Sequence, residues 1–195
     1  MPVSNSIVSS SKQWTYAKPA IALHWILALL LPAMVALGWY MMSIEDQPNS
    51  GWYFSLHKSI GITIFLLVLL RLIWRLTHTP HSLPSTVAQW QVTLSRWTQW
   101  LLYCCMFLMP LTGFTGAIYS KHGVSFFGLA LPKVTPNHDL SELFFSAHGV
   151  IVWILIGLAT LHIAGGLKHL LVDRDGVFQR MWPNFLTTSH DEPKQ

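Results

Sequence analysis

Ten histidines are spread along this 195-residue sequence, and four of them, His24, His57, His148 and His162, sit in stretches with little or no charge. An ionisable side chain in such a setting is costly to keep and usually serves a function. Imidazole can carry protons, bridge helices by hydrogen bonding or bind a metal through a ring nitrogen. The spacing helps to separate these uses. His148 and His162 are fourteen residues apart, which on an α-helix is about 21 Å of rise and a return to within about 40° of the same face. One helix would thus present a ligand at each of two depths. His24 follows Lys18 by six residues and His162 precedes Lys168 by six, whereas His57 follows Trp52 by five and His148 follows Glu142 by six. With neighbouring helices antiparallel, His24 is level with His162 near one membrane face and His57 with His148 near the other. Imidazoles facing each other across a bundle core are the axial ligand set of a b-type haem, so the spacing predicts two haems stacked across a bilayer.

Competing uses of these residues leave fewer signs. Histidines acting as interhelical hydrogen-bonding glue would not need matched depths. Zinc passage or a proton relay commonly places carboxylates beside histidine, and the apolar stretches contain none. There is no C-x-x-C-H for covalent haem attachment and no H-E-x-x-H for a metalloprotease. Cys104 and Cys105 are adjacent inside an apolar stretch, which suits neither a disulfide framework nor the spaced pairs of a zinc site, so they read as packing residues.

The elements that position the histidines follow from composition. Charged residues make up 10% of the chain, against roughly 25% in ordinary soluble domains. A soluble enzyme is therefore excluded, and so is nucleic-acid binding, because the net charge of +4 comes from scattered cations rather than a basic face. A helix needs about 20 apolar residues to cross a bilayer. Charge-free runs predict spans at 20–42, 97–119 and 143–167, and the apolar pattern from Trp52 to Leu76 predicts a fourth whose flanking cations snorkel. Of the twelve Lys and Arg residues, nine (Lys12, Lys18, Arg71, Arg75, Arg96, Lys168, Arg174, Arg180 and Lys194) fall on the side of the termini, and Lys58, Lys121 and Lys133 fall opposite. The positive-inside rule then puts both termini in the cytoplasm. The first span is longer than a signal h-region and is expected to stay in the membrane. The fold expected is all-α, an integral membrane four-helix bundle over 14–183. Residues 1–13 are expected to be a flexible cytoplasmic segment and 184–195 a cytoplasmic tail. The loops, with Pro80 and Pro84 or Pro132 and Pro136, do not form a domain, and Pro32 and Pro110 are expected to bend their helices.

Other residues fit around this frame. Gly61, four after His57, and Gly165 and Gly166, after His162, suit either clearance for a macrocycle or close helix packing, as do Gly113 and Gly116. Arg71 and Arg75 lie where inner-haem propionates could emerge, and positive-inside anchoring explains them equally. Lys58 could pair with an outer propionate or with Glu45 or Asp46. His169, seven after His162, is either an interfacial residue or a donor of a hydrogen bond or proton to a docked quinone. His78, His81, His122, His138 and His190 read as solvated loop or tail residues. Trp14, Trp39, Trp52, Trp74 and Trp97 read as an interfacial belt.

Over roughly 14–183 the sequence resembles the prokaryotic cytochrome b561 family. The resemblance rests on A-L-H-W at 22–25, L-H-K-S-I-G at 56–61, R-L-I-W-R at 71–75, A-H-G at 147–149, L-H at 161–162, K-H at 168–169 and D-R-D-G-V-F-Q-R-M at 173–181. It implies a bundle with two b haems whose ligands fall on His24, His57, His148 and His162, with His169 matching a quinone-side histidine. Some members pass electrons from superoxide to ubiquinone. The loop T-H-T-P-H-S-L-P-S at 77–85 lacks the lysine that assists the quinone site in those members, so the chain looks closer to their paralogues.

The expected function is transfer of single electrons across the bacterial inner membrane, between an outer donor such as superoxide and the quinone pool. Lipid, quinone and a periplasmic or membrane electron donor are the expected partners, with two haem b and ubiquinone as cofactors. Lys58, Lys121 and Lys133 are candidate attractants for an anionic donor. Two alternatives belong to other classes: a membrane anchor that carries electrons for a dehydrogenase, hydrogenase or periplasmic partner, and a haem-free transporter that uses its histidines for metal or protons.

Overall fold

In the computed structural model, residues 15–78, 83 and 87–183 are described. The expected flexible segments 1–13 and 184–195, together with Trp14, Pro80, His81, Pro84 and His190, lie outside the described residues. Four long apolar helices make up most of the chain: α1 (Lys18–Ser43), α2 (Ser50–Thr77), α3 (Gln89–Tyr119) and α4 (His138–Lys168). Each is long and apolar enough to cross a membrane. Their large side chains point outward as well as inward, with Leu29 71% exposed and Leu66, Ile73, Trp97, Val150 and Ile163 exposed too. An aqueous surface would not tolerate so broad an apolar face, whereas lipid requires it.

Local chemistry sets the helix ends. Pro19 opens α1, where its missing N–H costs nothing. The Asn137 side chain caps α4 by accepting from the Leu140 N–H at 3.0 Å, and Asp139 follows in the first turn. Charge marks the start of α1 at Lys18 and the end of α4 at Lys168, but not the starts of α3 and α4. Helix α3 begins at Gln89, eight residues before the expected 97, and α4 begins at His138, five before the expected 143, because charged turns outside the apolar slab remain helical. His138 is accordingly the first residue of α4 and not a loop residue, although it is exposed. Beyond Lys168 the helix widens into one π-helical turn, His169–Asp173, and a 3₁₀ turn follows at Phe178–Met181.

Helices α3 and α4 share the largest interface, and α1–α2 and α2–α3 contacts complete the packing. The buried core is a cluster of Leu27 from α1, Ile64 and Val68 from α2, Cys105 and Met106 from α3, and Leu155 from α4. Leu155 lies midway between His148 and His162, so this apolar layer sits between the two histidine levels. The level at which α1 begins and α4 ends is called here the terminal end, and the other the hairpin end.

The hairpin end carries a small element that the sequence pattern did not signal. Strands β1 (Ser125–Phe126) and β2 (Leu129–Ala130) pair antiparallel through a two-residue turn. Both turn residues have positive φ, 45° at Phe127 and 89° at Gly128. Glycine suits this, but a bulky Phe does not adopt it without support. That support comes from α2, where the buried Ser59 hydroxyl accepts from the Phe127 N–H at 2.9 Å and donates to Ser55 O at 2.8 Å. Ser55 Oγ meets Ser125 Oγ at 2.8 Å, and Lys58 Nζ donates to Gly123 O at 2.9 Å. Replacing Ser59 by Ala leaves the Phe127 N–H without its acceptor and is expected to cost about 1–3 kcal/mol. A thermal midpoint equal to wild type would show that this contact does not hold the hairpin.

Candidate functional site

Helix geometry brings the four span histidines together in two facing pairs. At the terminal end the His24 and His162 rings have centroids 6.1 Å apart and an interplanar angle of 70°. At the hairpin end His57 and His148 are 6.3 Å apart at 74°. Among the described residues no hydrogen bond joins either pair. At the usual imidazole–metal bond length of about 2.0 Å, with each ring centre about 1.1 Å further out, two rings facing one metal atom have centroids about 6.2 Å apart. Both pairs match that separation.

Hydrogen bonding indicates which nitrogen each ring offers. His148 Nδ1 lies 2.8 Å from Met109 O, a pure acceptor, so Nδ1 carries the proton and Nε2 keeps its lone pair for a ligand. His57 Nδ1 is buried without a hydrogen-bond partner, the mark of a ring whose polar capacity is not spent within the protein. His24 differs, because Arg71 Nη2 is 3.3 Å from its Nδ1. Guanidinium only donates, so Nδ1 accepts here, and offering Nε2 to a metal requires the proton to move to Nδ1 and Arg71 to release that contact. Arg71 retains Ala20 O at 3.0 Å and lies 6.0 Å from the Tyr103 ring centroid. Arg75, one turn on, donates to the Tyr16 hydroxyl at 3.4 Å and Gln99 Oε1 at 3.3 Å.

The fourteen-residue interval recurs on every helix. On α1, His24 at the terminal end is followed after fourteen residues by Gly38, where a Cβ would stand 3.4 Å from His57 Cε1. On α2, His57 is followed by Arg71. On α3, Gln99 is followed by Gly113, where a Cβ would stand 2.9 Å from His148 Nδ1. Glycine at 38 and 113 therefore clears the hairpin-end rings. Gly113 is one of the glycines for which the sequence offered clearance or close packing, and Gly38 is not; of the others, a Cβ at Gly61 would meet Met34 at 3.9 Å, one at Gly166 would meet Phe178, and one at Gly165 would meet no side chain. Gly116 packs on Phe145. Lys58 reaches Gly123 O and not Glu45 or Asp46, a pairing the sequence had allowed, because the 121–130 segment folds down beside α2.

His169 stands at the terminal end on the π-helical turn. Its Nδ1 is 2.7 Å from Asp175 Oδ2 and 3.4 Å from Asp173 Oδ2. Asp175 Oδ1 accepts from the Val177 N–H at 3.1 Å, and Lys168 pairs with Asp173. The sequence reading missed both carboxylates. Asp173 could have been found at i+4 from His169, but Asp175 comes back to the ring past Arg174, whose φ of 51° is left-handed; Gly176, at 81°, then carries the chain onward. The returning segment closes over the terminal end, where Trp25 Nε1 donates to Met181 O at 2.8 Å and the Tyr16 N–H to Arg180 O at 3.1 Å. His78 stacks on Trp74 at the surface and His122 is exposed, as expected of loop residues. Cys105 packs in the core and Cys104 is exposed.

Known proteins of similar sequence match this chain over nearly their whole length. Cytochrome b561 homolog 2 of Escherichia coli (strain K12) is 28% identical over 172 residues, which cover 85% of this chain and 90% of that protein. Cytochrome b561 homolog 1 of the same organism is 29% identical over 178 residues, covering 86% and 97%. A protein named probable superoxide oxidase CybB, from Yersinia pestis, is 28% identical over 175 residues, covering 86% and 96%. The profile of the family described as prokaryotic cytochrome b561 matches residues 15–184. With four apolar helices and imidazoles facing each other inside the bundle, the chain belongs to the prokaryotic cytochrome b561 family and is a multi-pass bacterial membrane protein of b-type haem electron transfer.

Proposed function

We propose that this cytochrome holds two haems, one between His24 and His162 and one between His57 and His148, and links an electron donor outside the inner membrane to the quinone pool. The observation that carries this reading is the pair of matched ring separations, 6.1 and 6.3 Å, at two depths of one bundle. Bound haem would supply reversible one-electron chemistry, with His24 and His162 holding one group and His57 and His148 the other. A haem-free transporter does not accord with membership of a b-cytochrome family.

The chain's own residues prepare each level. Met109 O fixes the His148 ring with Nε2 free, and Gly38 and Gly113 leave room for the hairpin-end rings. The core layer of Leu27, Ile64, Val68, Met106 and Leu155 excludes water between the levels. Arg71 and Arg75 are the cations available to propionates at the terminal end. With both termini in the cytoplasm, as the distribution of Lys and Arg favours, the terminal end faces inward and residues 14–183 form the working unit.

Quinone would dock beside His169. Asp175 accepts a hydrogen bond from His169 Nδ1–H and holds the ring, leaving Nε2 to exchange a proton or hydrogen bond with a quinone oxygen. At the hairpin end Lys121 and Lys133 are exposed and suited to attract an anion, whereas Lys58 is engaged by Gly123 O. The relative named probable superoxide oxidase makes superoxide the first donor to test.

The test is protein in nanodiscs containing ubiquinone, pulsed with superoxide while haem reduction and quinol formation are followed. His169→Ala is expected to slow quinol formation about a hundredfold or more, the range typical for loss of a general acid, while the haem content stays unchanged. Equal quinol formation would remove quinone from this position. Gly113→Ala, which drives a methyl into the His148 ring, is expected to lower haem content toward half. Full haem content in that variant would contradict the placement of a haem beside His148.

A further inference from the structure

The two levels are not electrostatically alike. Helix α4 gives each a histidine, but α2 gives His57 to one and, fourteen residues later on the same stripe, Arg71 to the other. We propose that Arg71 makes the terminal-end haem the more easily reduced of the two, so that electrons arriving at the hairpin end run downhill to the terminal end. This rests on the two-haem reading above.

The guanidinium is permanently charged and is fixed by Ala20 O at 3.0 Å and the Tyr103 face. Its position, 3.3 Å from His24 Nδ1, puts it against the imidazole of that level. When Nδ1 is protonated, Ala20 O and the Tyr103 face remain its partners within the chain, whether or not a propionate also meets it. No carboxylate side chain pairs with Arg71 among the described residues. Reduction lowers the charge of a haem by one, so a neighbouring cation favours the reduced form. Inside an apolar bundle that attraction is screened far less than in water. At an effective dielectric near 20, unit charges about 10 Å apart still shift an equilibrium by about tenfold or more.

Among the described residues the hairpin-end level has no such neighbour. Lys58 follows His57 directly, about 100° around the helix, and its ammonium is drawn to Gly123 O in the hairpin. The Nδ1 atoms there meet Met109 O or no hydrogen-bonding partner at all. One level therefore holds a buried cation against its histidine and the other does not.

The test is a potentiometric titration of the haem-loaded protein, with His57→Ala and His24→Ala each retaining one haem to assign the midpoints. The haem left in His57→Ala is expected to titrate above the one left in His24→Ala. In the dihaem protein, Arg71→Gln is expected to shift the terminal-end haem at least about tenfold toward the oxidised form, which is about 59 mV for one electron. The other midpoint should stay in place, and Arg71→Lys should restore most of the shift. A reversed order in the single-haem variants, or equal movement or no movement of both midpoints in Arg71→Gln, would overturn the proposal. If Arg71→Gln loses its terminal-end haem, the order in the single-haem variants decides. Fewer than two haems in wild type would instead show that the two-haem reading fails, and this is seen before any midpoint is measured.

Discussion

A polar side chain inside a bilayer must find its partner within the protein, because lipid offers none. In this bundle that constraint falls on four imidazoles, and α4 sets where it must be met. Its two histidines, fourteen residues apart, fix two levels, and every other helix has to supply something compatible at each. Helix α1 supplies His24 and then Gly38, α2 supplies His57 and then Arg71, and α3 supplies Gln99 and then Gly113. A ring at one level is thus answered by a ring, by the absence of a side chain, by a cation or by the Gln99 amide, and the space between the levels is left to Leu27, Ile64, Val68 and Leu155.

The two ends close by different means. At the hairpin end, Ser55, Lys58 and Ser59 on α2 hold the 123–130 segment down beside the turn that bears His57. At the terminal end, the chain after His169 turns back on itself and ties to α1 through Trp25 and Tyr16. That turn also brings Asp175 to His169. A rigid apolar middle with polar closures at both ends suits a protein that exchanges with water and lipid only at its faces.

Much of this was legible in the sequence because helix rise and twist are fixed by the backbone. Once the spans were placed, the depths of His24, His57, His148 and His162 followed, and so did their pairing in space. Helix ends were less legible, since Asn137 and the backbone at Ala88 set them and not the nearest charge. Gly38 could not be read locally, because its reason is a ring on another helix. Met109 gave no sign because a carbonyl acceptor has no side-chain signature, and Asp175 gave none because its approach depends on the left-handed backbone at Arg174. Of the partners the sequence offered Lys58, an outer propionate or Glu45 or Asp46, the carboxylates give way to Gly123 O, because a hairpin with Phe in a left-handed conformation leaves no alternating pattern.

The central claim is that each facing pair holds one haem. The most direct measurement is a reduced-minus-oxidised spectrum with a pyridine haemochrome count on purified wild type, His24→Ala and His148→Ala. Two haem b per chain, falling toward one in each variant, is the predicted result. A single haem in wild type, or two that survive both substitutions, would contradict the assignment.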